Sequence, residues 1–174
     1  MDYSKYIANI PNFPIEGILF RDVTPLVEDG EAFKSVCQDF AKFCEEKGAD
    51  IICGPEARGF IFGCPVATMI GKGFVPVRKP GKLPRECISE SYDLEYGKNV
   101  LSMHKNAIKP GQKVVIIDDL LATGGTIRAT INLIEKLGGI VVGICAVIEL
   151  IDLNPRKAFE GYEVFTLLEY KEFE

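Results

Sequence analysis

Histidine occurs once in the 174 residues, at position 104. One imidazole leaves little material for a multi-histidine metal site or a nucleophile–histidine relay. The six cysteines, Cys37, Cys44, Cys53, Cys64, Cys87 and Cys145, form no C-x-x-C pair and no metal-ligand spacing. Most sit in apolar surroundings, where a free thiol behaves as a small hydrophobe, so the chain reads as a reduced, cytoplasmic protein. No apolar run reaches the ~18 residues that a membrane span needs. Residues 1–11 lack the basic lead and apolar core of a signal peptide. Internal repeats and low-complexity tracts are missing too. Basic residues are the minority, 20 against 25 acidic, for a net charge of −5. That balance argues against general nucleic-acid binding.

What is present describes one globular domain spanning residues 1–174. Hydrophobic residues make up 47% and charged residues 26%, enough apolar material for a real core. Residues 31–47 carry Phe33, Val36, Cys37, Phe40, Phe43 and Cys44 at helical spacing, and Gly48 closes the helix. A strand over residues 50–53, a helix over about 60–70 and a strand over 74–77 follow. From Lys79 to Gly97 the pattern dissolves into prolines, glycines and mixed polar residues, which reads as a long loop. Residues 113–117 (KVVII) fit a strand buried on both faces. Ile127, Ile131, Ile134 and Leu137 form a helix stripe that ends at Gly138-Gly139. Strands over 140–148 and 162–168 complete an α/β fold with a mostly parallel sheet. Ligands of such sheets bind beyond the carboxyl ends of the strands.

Two features carry chemistry. The first is residues 114–126, VVIIDDLLATGGT. A buried strand delivers Asp118 and Asp119 to the sheet edge, and Ala122, Thr123, Gly124, Gly125 and Thr126 turn the chain into a helix. Backbone N–H groups at a helix N-terminus bind phosphate, and the two threonines add hydroxyl donors. No lysine follows the glycines, so this is not the loop that grips a triphosphate. It suits a monophosphate, with the two carboxylates accepting from ribose hydroxyls. A bare strand end with solvated aspartates leaves the pattern unexplained. The second feature is a basic cluster on an acidic protein: Arg78, Lys79, Lys82 and Arg85 fall within eight residues. It is either a solvated loop or a site for a small anion.

At these residues the chain resembles the PRPP-binding signature of the type I phosphoribosyltransferases, and DDLLATGGT is similar to the version in the adenine-using branch. The resemblance covers most of the chain. Residues 11–14 (PNFP) and 17–22 (GILFRD) match the N-terminal segment. Residues 54–60 (GPEARGF) resemble the pyrophosphate loop, 78–84 (RKPGKLP) the basic loop, and 92–97 (YDLEYG) the segment that closes over the substrates. The chain departs from the pattern at Arg85 and at Leu101-Ser102.

The resemblance implies the type I phosphoribosyltransferase fold: a mostly parallel central sheet flanked by helices, a small N-terminal hood from residues 1–30, and a mobile loop. It implies transfer of the ribose 5-phosphate of PRPP to adenine, giving AMP and pyrophosphate in purine salvage. Asp118, Asp119 and residues 122–126 would hold the ribose 5-phosphate. Arg58, Arg78, Lys79 and Lys82 would hold the pyrophosphate. Mg²⁺ would enter as cofactor, held mainly by PRPP and by no dedicated protein ligand. Leu19, Phe20 and Arg21 would read adenine through the main chain. Glu95 would accept the purine proton, with Glu90 and Asp93 as its nearest competitors. A cis peptide at Glu56–Ala57 and a homodimer are also implied.

Two rivals keep the cradle: a transferase for another purine base, and a non-enzymatic PRPP-sensing regulator. Residues 20–22 and Glu95 argue against the first. The second would carry a DNA-binding domain, for which the length leaves no room. A PRPP-making diphosphokinase would need an ATP site and a longer chain.

Overall fold

The computed structural model describes residues 1–94 and 96–173. A 3-10 turn at Tyr3–Tyr6 leads into β1 (Ala8–Pro11) and β2 (Leu19–Asp22), followed by α1 (Thr24–Glu28) and α2 (Gly30–Glu46). Next come β3 (Ile51–Pro55), α3 (Arg58–Met69), β4 (Gly73–Val77), β5 (Cys87–Asp93) and β6 (Lys98–His104). The last third holds β7 (Lys113–Leu121), α4 (Gly125–Lys136), β8 (Ile140–Leu150) and β9 (Val164–Tyr170). Among the described residues, five strands form one parallel sheet in the order β4-β3-β7-β8-β9. β1 pairs with β2, and β5 with β6, as separate antiparallel pairs.

The sheet is sealed on both faces, which is why its central strands read as unbroken apolar runs. On β7, Val115 and Ile117 face a core shared with α2 and α3, where Phe40 and Phe62 are fully buried. Val114 and Ile116 face the opposite core, built with Ile127, Ile131 and Ile134 of α4 and Leu101 and Met103 of β6. Each fully buried side chain of this size is worth roughly 1.5–3 kcal/mol, so β7 is firmly anchored on both faces. α2 starts on Asp29, whose carboxylate accepts from the Ala32 N–H at 2.9 Å. Its buried residues Val36, Cys37, Phe40 and Cys44 form the stripe that the spacing predicts.

One expectation is overturned. The reading of residues 79–97 as a loop holds only for its first part, because residues 87–93 form a strand paired residue for residue with β6, from Cys87↔His104 to Asp93↔Lys98. The inward positions of β5 are Ile88, Glu90 and Tyr92, with a charge at the centre and a hydroxyl on the third. Glu90 reaches Lys136 and Asn132 on α4, and Tyr92 reaches Thr126. Glu90 in the middle interrupts the apolar alternation by which a strand is read from sequence.

Candidate active site

After a register shift between Val114 and Val115, β7 pairs with β8 as far as Leu121↔Glu149, so Asp118 and Asp119 lie within the strand and not beyond it. The chain then turns at residues 122–124 and enters α4. Gly124 makes this turn with φ of +87°, and a Cβ there would stand 2.7 Å from the Pro155 carbonyl oxygen. Only glycine fits both the backbone angle and the space. The helix N-terminus opens onto a small cavity of about 80 Å³ lined by Asp118 and residues 120–127. A second cleft, about 260 Å³, shares Asp118, Leu120 and Thr126 with the first and adds Glu56, Ala57, Arg58 and Asp119. A phosphate-sized hollow thus adjoins a sugar-sized one, with the two acids facing the larger.

The acid pair is nearly buried, Asp118 at 9% and Asp119 at 5% exposure. Burial pushes the Asp118 carboxyl well above the ordinary carboxylate range, and the neighbouring Asp119 charge adds to the rise. The Asp119 N–H donates to Asp118 Oδ1 at 2.8 Å. Arg58, at the start of α3, donates from Nε to Asp119 Oδ2 and places its guanidinium carbon 5.4 Å from the Phe20 ring centre. Burial opposes the Arg58 charge, but Asp119, then Asp118 and Asp22, outweigh it and raise its pKa.

Glu56 joins the basic segment to this cleft. Its carboxylate accepts from the Lys79 backbone N–H at 2.6 Å and pairs with Arg78 at 3.4 Å. The Lys79 N–H, and then Arg78, hold its pKa below the usual range against a smaller burial effect. Arg78 Nε is buried and makes no hydrogen bond, so that contact is an ion pair only. Arg78 also bridges to Ser102 through two backbone hydrogen bonds, 3.0 and 2.7 Å. The Glu56–Ala57 peptide is cis, as the resemblance implies.

The structure therefore brings together Asp118, Asp119, residues 122–126 and Arg58, with Phe20 beside them. Arg78 and Lys79 meet at Glu56 on the rim, and Lys82 is exposed outside the cleft lining. Leu19, Phe20 and Arg21 lie on β2. The Arg21 side chain is held elsewhere, by Asn9 Oδ1 at 2.6 Å, the Lys171 carbonyl at 3.1 Å and the Tyr170 ring at 4.5 Å. Glu95 lies outside the described residues. Among them, no group of three His, Cys, Asp or Glu side chains is arranged to cage a metal.

The sequence reading placed Glu56 and Tyr92 within motifs without giving either side chain a role of its own, and passed over Glu149 and Arg156. Glu149 is buried on β8 and takes a two-pronged contact from Arg156, at 2.8 and 2.7 Å, plus the Thr166 hydroxyl at 3.2 Å. Arg156 belongs to the 3-10 segment Pro155–Phe159, which backs Gly124. A lone glutamate inside the apolar run of residues 140–150 was the available signal, because a charge there demands a partner.

Residues 26–173 match the phosphoribosyl transferase domain family. The chain belongs to this family, and its sheet and helices make the type I phosphoribosyltransferase fold. It is 56% identical over 170 residues to an adenine phosphoribosyltransferase of Lactobacillus gasseri, covering 98% of this chain and 97% of the relative. Among solved structures, it superposes on the adenine phosphoribosyltransferase of Thermoanaerobacter pseudethanolicus with a TM-score of 0.94 at 50% identity, covering 97% and 98% of the two chains. The Saccharomyces cerevisiae enzyme, solved with an iminoalditol bisphosphate and adenine, matches with a TM-score of 0.91 at 41% identity over 96% and 97% of the chains.

Proposed function

We propose that this chain transfers the ribose 5-phosphate of PRPP to adenine, releasing pyrophosphate and forming AMP for purine salvage. The adjoining hollows that share Asp118 and Thr126 carry the reading, and the likeness to adenine phosphoribosyltransferases supports the choice of base. The N-terminus of α4, with Thr123 and Thr126, binds the 5-phosphate. Asp118 and Asp119 accept from the ribose hydroxyls, which fixes the anomeric carbon in the wider cleft. Arg58, Arg78, Lys79 and Lys82 stabilise negative charge on the departing pyrophosphate as positive charge grows on the ribose ring. Glu95 takes the purine proton.

Two carboxylates beside a cationic rim fit a divalent ion that arrives on the substrate's own oxygens. When bound, Mg²⁺ supplies further counter-charge to the pyrophosphate. β1 and β2 serve as the hood over the base, within a single domain formed by residues 1–174. A homodimer is supported by the outward face of α3, where Ile61, Cys64 and Met69 are exposed on an apolar helix. A cytoplasmic setting is supported by six unpaired thiols, four of them buried. Among the described residues no helix is long and apolar enough to cross a membrane.

The test is an assay with PRPP, Mg²⁺ and each purine base in turn, measuring nucleotide formed. AMP from adenine is the expected product. IMP or GMP at comparable rates would favour another purine specificity. PRPP binding with no nucleotide formed would favour the sensor.

A further inference from the structure

Tyr92 meets the phosphate loop twice. Its hydroxyl lies 3.1 Å from Thr126 Oγ1, and its ring covers Gly125 so closely that a Cβ there would approach Tyr92 Cδ2 to 2.9 Å. Across the hairpin its register partner, Asn99, donates from Nδ2 to the same hydroxyl at 3.2 Å. Thr126 lines both hollows of the site.

The proton count permits an order that runs from Asn99 through Tyr92 to Thr126. An amide N–H can only donate, so the phenol oxygen accepts from Asn99, and its own single proton is available for Thr126. A threonine hydroxyl that accepts from Tyr92 keeps its proton for another partner. Ionised phosphate oxygens can only accept. The ring packing over Gly125 needs no hydroxyl, since phenylalanine would cover the glycine equally well.

We propose that Asn99, Tyr92 and Thr126 form a directed hydrogen-bond relay that holds the Thr126 hydroxyl as a donor to the substrate's 5-phosphate. Tyr92 is thus a positioning residue acting through Thr126, and the phosphate site extends beyond its loop into the β5–β6 pair. The proposal rests on the reading of residues 122–126 as the 5-phosphate loop and deepens it by assigning the polarity of one donor.

Calorimetric binding of AMP and adenosine, which differ only in the phosphate, tests it. Tyr92→Phe is expected to weaken AMP by roughly 3–10-fold, the worth of one neutral hydrogen bond, and to leave adenosine unchanged. Asn99→Leu should give a loss of the same selectivity. Neither change should add to the loss in a Thr126→Val background, because both act through that hydroxyl. Equal weakening of AMP and adenosine by Tyr92→Phe would reveal a merely structural role and overturn the relay. So would an AMP loss that persists in full beside Thr126→Val. If Thr126→Val weakens AMP while Tyr92→Phe does not, the relay fails and the phosphate loop stands. If Thr126→Val itself spares AMP, Thr126 is not a phosphate ligand and both readings of it fall.

Discussion

Arg58 donates a hydrogen bond to Asp119 while its guanidinium lies over the ring of Phe20, so one side chain links the acid pair to the N-terminal hood. A ribose hydroxyl that binds Asp119 must share that carboxylate with Arg58 or displace it toward the pyrophosphate. In the free protein Arg58 lessens the cost of two adjacent buried carboxylates. Arg58→Met is therefore expected to lower stability by about 1 kcal/mol, a modest value because the guanidinium side chain is 49% exposed and solvent screens it. Adding Asp119→Asn should cost less than the sum of the single changes. Denaturant unfolding of all four proteins measures this coupling, and strict additivity would count against it.

Asp118 carries a stability cost, and in the proposed function its contact with ribose is what that cost serves. Its pKa in the fold lies above the ordinary 3.8, so below both values it is protonated in folded and unfolded chains alike and costs nothing. As pH rises past the unfolded value, the unfolded chain ionises first and binds fewer protons, so stability falls until the folded carboxyl has also ionised. Asp118→Asn should therefore raise Tm at neutral pH, with the gain shrinking as pH falls toward the ordinary carboxylate range. The same change should lower kcat/KM for PRPP, since a charged hydrogen bond to ribose is worth ~1.5–3 kcal/mol. A Tm difference independent of pH would contradict this account of the site.

Elements that bury apolar faces were legible from spacing: the helix near residues 31–47, the central strand and the helix stripe at Ile127, Ile131 and Ile134. The acid pair and glycine turn were legible as a pattern because they follow directly on a buried strand and open a helix. β5 was not, since its inward Glu90 and Tyr92 dock through hydrogen bonds. The contact of Arg58 with Asp119 spans 61 positions of sequence, and no local pattern encodes such a pairing.

Glu149 and Arg156 form a support behind the glycine turn at Gly124. Glu149 is 4% exposed at its side chain and Arg156 48%, so losing Arg156 leaves a buried charge while solvent reaches only one side of the former pair. Arg156→Leu is expected to cost about 2–3 kcal/mol, below the range for a fully buried pair. Glu149→Gln in the same chain should recover much of that loss. Thermal unfolding checks this, and a larger loss in the double variant would refute the ion-pair explanation.

The role given to Glu95 predicts a separation of chemistry from binding. Glu95→Gln should lower kcat by roughly 10²–10⁴ while PRPP still binds. Steady-state rates alongside direct PRPP binding make the comparison. Full activity would move the proton to Glu90, Asp93 or solvent.

The proposed placement of adenine at Leu19 to Arg21 ties the choice of base to a strand edge. β2 is paired only with β1 among the described residues, so alternate residues of β2 turn N–H and C=O groups toward an unpaired side. Adenine presents a donor at its 6-amino group and an acceptor at N1, which one C=O and one N–H on that edge can match. Hypoxanthine reverses both groups and would meet two like-to-like contacts in a desolvated pocket. Sites that read polar groups this way reject the wrong partner by ~10⁴-fold or more, so a ratio of at least roughly 10³ in kcat/KM for adenine over hypoxanthine is expected. Arg21 supplies the control. Its side chain is committed to Asn9, Lys171 and Tyr170, so Arg21→Ala should loosen the hood and slow both bases while keeping most of the ratio. Parallel assays with the two bases on both proteins decide the matter. Comparable rates in the unmodified protein would remove adenine as the substrate, and a ratio that collapses only in Arg21→Ala would move the reading from the main chain to the side chain.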